Sequence, residues 1–148
     1  MKKTVALDVD GVLAQYNGWK GIDHIGDPIP GAISFTKELS EFAYILIYTT
    51  RCCETLNDRD GRKASELQQI VKAWLDKHGF TYNEIYIGQG KPIFSCIIDD
   101  RAINCSPQIN TTSRLNGMSG HIYDITILRA RAFCGTEQDT GETTNGSL

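Results

Sequence analysis

Asp8 and Asp10 stand at alternate positions where a β-branched, apolar run, Thr4 to Val9, gives way to Gly11. Alternate side chains of an extended strand share a face, so if the strand continues through them the two carboxylates point the same way. Gly11 allows a sharp turn just beyond them. A second acidic pair, Asp99 and Asp100, ends another apolar stretch, Ile93 to Ile98. If the two stretches are neighbours in one sheet, three or four carboxylates converge. Such a cluster repels itself unless it holds protons or a cation. A ligand set made only of oxygen suits a hard ion, with Mg2+ the natural choice. Two further groups belong to the same pattern: Thr49, at the end of the run Ala43 to Tyr48, and Lys91, in the turn Gly88 to Pro92.

The elements that must position these groups alternate between strand and helix. Thr4 to Val9, Ala43 to Tyr48, Glu84 to Ile87 and Ile93 to Ile98 read as strands, the apolar runs among them as strands buried on both faces. Ala32, Phe35, Leu39 and Phe42 form one apolar helical stripe, with Pro30 suited to the first helical position. Leu67, Ile70, Val71, Trp74 and Leu75 mark the core face of a helix from Arg62 to His78, which Gly79 ends. Residues 14–29, with three glycines and one proline, read as a loop. The order predicts an α/β domain with a mainly parallel sheet. Such sheets bind ligands at the carboxyl ends of their strands, where the acids and Thr49 fall.

Composition excludes several other functions. At 148 residues the chain suits one domain, assigned to 1–134, with 135–148 an apolar-poor disordered tail. Three acids without a base lie in that tail, so the body carries 15 charges of each sign. It is no polybasic membrane binder and no DNA-coating protein. No apolar stretch approaches the ~20 residues of a membrane span. Five cysteines without a C-x-x-C pair imply neither a disulfide framework nor a zinc knuckle, and point to reduced thiols in the cytoplasm. Residues 106–120 read as loop, and Ile122 to Leu128 as either a fifth strand or the start of a terminal helix.

The ordered set of D-x-D-G-x-L at Asp8 to Leu13, Thr49, Lys91 and Asp99-Asp100 resembles the haloacid-dehalogenase-like (HAD) hydrolases over residues 4–105. The resemblance implies a Rossmann-like three-layer sandwich and a Mg2+-dependent phosphatase. Asp8 corresponds to the nucleophile that forms an aspartyl-phosphate. Asp10 corresponds to the general acid and base, and lends its backbone carbonyl to the metal. Thr49 would bind a phosphoryl oxygen and Lys91 would neutralise charge at the nucleophile. Asp100 aligns with the direct metal ligand, and Asp99 with a ligand one shell further out. Gly11, Thr50 and Arg51 fall at the substrate's rim. The family's cap insertions have no room here: 14–29 makes a flap, and 50–90 is spent on the basic fold. An open site admits large phosphorylated substrates, or a second copy of the chain covers it.

The texture D-V-D-G-x-L-A, Asn17-Gly18, Thr49-x-Arg51 and I-D-D-R at Ile98 to Arg101 is also similar to the phosphatase domain of polynucleotide kinase-phosphatases. That implies a nucleotide or nucleic-acid end as substrate. The neutral body argues against a long polymer, because tracking a backbone needs a basic groove. Arg51 could grip a second phosphate. Tyr16, Trp19 and His24 could stack on a base or pack the flap. Arg59 to Lys63 reads as a self-paired loop with Asp58 and Asp60, and Arg101 as a structural ion pair. The rival reading is a non-catalytic phosphate-binding or receiver-like signalling module. Receiver domains place the acidic pair first and Lys-Pro last, whereas here D-x-D-G leads and Asp99-Asp100 follows Lys91-Pro92.

Overall fold

Strand β1 (Lys3–Leu7) runs between two partners in a computed structural model that describes residues 1–53 and 61–102. On one side lies β2 (Ala43–Ile47), followed by β3 (Glu84–Ile85); on the other lies β4 (Cys96–Ile98). Every pairing is parallel, in the order β3-β2-β1-β4. This is the α/β, Rossmann-like architecture with a parallel central sheet. β3 and β4 are shorter than the runs that suggest them, covering Glu84–Ile85 and Cys96–Ile98.

Helix α1 (Ala32–Phe42) joins β1 to β2, and α2 (Ala64–His78) joins β2 to β3. α1 starts two residues after Pro30, because Gly31 sits at φ 89° in the left-handed region and cannot belong to the helix. The Glu66 carboxylate accepts the Lys63 backbone N–H at 2.8 Å and so fastens the start of α2. Ala32, Phe35 and Leu39 of α1 and Val71 and Leu75 of α2 share one core with Val5, Leu7, Ile45, Ile47 and Ile85. Those strand residues are cross-strand partners on a single face. Both described helices therefore cover the same side of the sheet, as right-handed crossovers in one direction require. The opposite face carries Ala6, Leu46 and Ile97 in register.

No helix among the described residues is long and apolar enough to cross a membrane. The domain limit at 134, the tail 135–148 and the readings for 106–128 lie outside the described residues.

Candidate active site

The register of the sheet brings the acids together. Leu7 pairs with Ile98, and the Asp8 N–H donates to the Ile98 carbonyl at 3.0 Å. The next residue of each strand is then an acid, at the carboxyl edge. Asp8, Asp99 and Asp100 each offer a carboxylate oxygen, and the three atoms lie within 4.8 Å of one another. Asp8 is half-buried, and its Oδ1 accepts the Val9 N–H at 2.7 Å. Burial, with Asp99 and Asp10 as like charges nearby, pushes its carboxyl up to about 6 against the pull of the Val9 N–H and the Thr49 hydroxyl. A divalent cation among these oxygens would reverse that balance.

Gly11 makes the approach of Asp100 possible. It holds φ 78°, and a Cβ there would lie 2.3 Å from Asp100 Oδ2. Gly11→Ala is expected to cost roughly 1–2 kcal/mol of backbone strain and to push Asp100 out of the cluster. Thermal-shift titration with Mg2+ should then show at least a tenfold weaker midpoint. An unchanged midpoint would remove Asp100 from the metal set.

The Asp10 carboxylate is not one of the three that meet there, and it is held by a different partner. Arg51 Nε and Nη2 donate to its two oxygens at 2.7 and 3.0 Å, a bidentate fork. Arg51 also donates to the carbonyls of Ile22 at 3.0 Å and His24 at 2.8 Å, and its guanidinium lies 5.0 Å from the Trp19 ring centroid. At 3% exposure the Arg51 side chain is buried. Its fork accounts for both Asp10 side-chain oxygens, which stand outside the group formed by Asp8, Asp99 and Asp100. The same contacts close the flap. Gln15 N–H to Asp27 O and Ile29 N–H to Leu13 O, both 2.8 Å, pinch its base. Arg62 forks onto Asp23 at 2.7 and 2.8 Å, and Trp74 donates to Gly26 O at 3.1 Å. Arg62 thus pairs across to the flap, while Asp58 and Asp60, its expected partners, lie outside the described residues.

No family model and no curated protein matches the chain. Among solved structures it is similar to a conserved protein coded by a locus of Bacteroides thetaiotaomicron. The identity is 21%, with 70% of this chain and 79% of that one covered and a TM-score of 0.48.

Thr49 is buried at the end of β2, and its hydroxyl donates to Asp8. Thr50 is exposed in the 3-10 turn Thr50–Cys52 that follows. Lys91 is not drawn to Asp8. Its ammonium caps the Phe94 ring, 5.4 Å from the centroid, and no ion pair joins it to an acid among the described residues. The attraction of the ring face for a cation accounts for that position. Arg101 likewise sits 5.4 Å over the Tyr16 ring and makes no ion pair among the described residues, while its backbone N–H donates to Asp99 Oδ1 at 2.7 Å.

One feature of the site escaped the sequence. Beside Thr49 opens a recess of about 270 Å³, lined by Tyr48, Cys52, Cys53, Tyr86 and the loop Gly88 to Gly90. The available signal was the position of Tyr48, one residue before Thr49. Its partner wall is set by the Tyr86 N–H, which donates to Ile47 O at 2.9 Å.

Proposed function

We propose that the protein is a Mg2+-dependent phosphomonoester hydrolase of the cytoplasm, working through an aspartyl-phosphate on Asp8. The observation that carries this reading is the meeting of Asp8, Asp99 and Asp100 oxygens within 4.8 Å at the carboxyl edge of a parallel sheet, beside Thr49. The HAD-like order of the same residues supports it.

An all-carboxylate set around the side-chain-free Gly11 fits a hard divalent cation. Mg2+ bound there would offset the charge spread over the transferring phosphoryl oxygens. The chain's own residues do the rest. A carboxylate oxygen of Asp8 bonds to phosphorus as the bond from phosphorus to the alcohol oxygen breaks. Asp10 gives its proton to that departing oxygen. It then takes a proton from the water that attacks phosphorus, which frees phosphate and restores Asp8. The Thr49 hydroxyl, already on Asp8, orients the nucleophile and meets a phosphoryl oxygen. Lys91 supplies positive charge to offset that of the phosphate.

Phosphate release from p-nitrophenyl phosphate tests the reading. Turnover is expected with Mg2+ and is expected to vanish in a chelator. Turnover unchanged by the chelator would end the metal role. A lasting phosphorylated Asp8 without turnover would favour the receiver-like module instead.

A further inference from the structure

We propose that the recess beside Thr49 seats a planar heteroaromatic ring, so that the substrate of this site is a nucleoside monophosphate. The phosphate half of that statement rests on the phosphatase reading; the ring half stands on the recess itself.

Thr49 belongs to both places, with its hydroxyl on Asp8 and its body in the recess wall. A group held at Asp8 therefore has the recess beside it. Tyr48 and Tyr86 both line it, and their rings meet with centroids 5.7 Å apart and planes at 69°. Rings in that relation form a corner. A flat aromatic guest stacks on one ring and meets the other edge to face. The corner is built in advance. Tyr86 donates its hydroxyl to Gln89 O at 3.0 Å. A Cβ on Gly88 would sit 2.6 Å from that hydroxyl, so the ring lies close over a residue without a side chain. Phe94 braces Tyr48 at 6.1 Å between centroids. Walls already fixed lose little freedom when a guest arrives. Gln89 adds a side-chain amide, a donor and an acceptor in one group, for the polar edge of a base.

Size and charge decide between a mononucleotide and a polymer end. About 270 Å³ lies just below the ~300–1,000 Å³ of pockets for drug-sized ligands. One base fits, and a run of nucleotides does not. A body with 15 charges of each sign also lacks the basic surplus that holds a strand.

Alkylation of Cys53 by iodoacetamide reads the recess without any turnover. Cys53 is half-buried in its wall, whereas Cys52 is buried and its thiol is pushed up to about 12 by that burial. Each of the four common nucleosides is added to the full-length protein, and Cys53 labelling is followed by peptide mass spectrometry. At least one nucleoside is expected to slow labelling fivefold or more. Tyr86→Ala should lose that protection and Tyr86→Phe should keep it. No protection by any of the four would overturn the proposal. With Mg2+ present, kcat/KM for the matching nucleoside 5′-monophosphate should exceed that for ribose 5-phosphate by roughly 5- to 150-fold, the usual worth of one stacked base. Tyr86→Ala should bring that ratio toward one. A 3′-phosphorylated oligonucleotide turned over faster than any mononucleotide would overturn the assignment to a mononucleotide. Protection without hydrolysis would keep the ring seat and end the phosphatase reading.

Discussion

Asp8→Asn is expected to make the metal-free protein more stable at pH 7.5, by up to about 3 kcal/mol, while abolishing turnover. The carboxyl sits at about 6 in the fold, against an ordinary 3.8. The folded state therefore binds its proton more tightly than the unfolded chain does. Below the ordinary value both states are protonated and the fold bears no penalty. As pH rises toward 6, the unfolded chain ionises first and stability falls. Above 6 both are ionised, and the full cost, about 1.36 kcal/mol for each tenfold loss of acidity, is in place. Asn cannot ionise, and its side-chain oxygen can still accept the Val9 N–H. The gap between variant and native protein should thus open between about pH 4 and 6 and stay level above. Urea unfolding across that range measures it. Mg2+ should close the gap from the other side, stabilising the native protein by about 1.4 kcal/mol at ten times its dissociation constant and the variant by less. Turnover should fall by roughly 10⁴-fold or more, as when a nucleophile is removed. A variant less stable than the native protein at pH 7.5 would mean that Asp8 is held by contacts worth more than its burial costs.

What the sequence reveals of this site follows from the two-residue period of strands and from the order of the chain. Asp8 and the pair Asp99-Asp100 each follow an apolar run, and parallel pairing places both run ends on the same edge. Local pattern is enough for such an inference. Side chains whose position depends on a loop are not readable in that way. Arg51 is two residues past Thr49, which suggests the rim of the site. It turns inward because the flap closes at Gln15 and Asp27 and delivers two backbone carbonyls to it. Lys91 follows a turn whose path is set by Tyr86 and Phe94, so its spacing from Asp99 does not fix where its ammonium goes. Pro30 suits the start of α1, but the conformation of Gly31 moves that start to Ala32.

Arg51 separates the two accounts of its role most sharply. If it is the clamp that the contacts describe, Arg51→Met leaves Asp10 half-buried without its fork, strips two flap carbonyls of donors and removes the cation over Trp19. Breaking one side of a buried pair costs roughly 3–5 kcal/mol, here a drop in Tm on the order of 10 °C. Arg51→Lys keeps the charge but cannot bridge a carboxylate and two carbonyls at once, so it should recover only a small part. The double variant Arg51→Met with Asp10→Asn should be more stable than the two separate losses predict, because the second change removes the charge that the first one stranded. Turnover should fall mainly through kcat, since Asp10 would no longer be aimed. The opposite pattern has a clear signature: a stability loss below about 1 kcal/mol, the range of an ordinary exposed ion pair, with a tenfold rise in KM. That result would return Arg51 to the substrate, where its place in the sequence suggests it belongs.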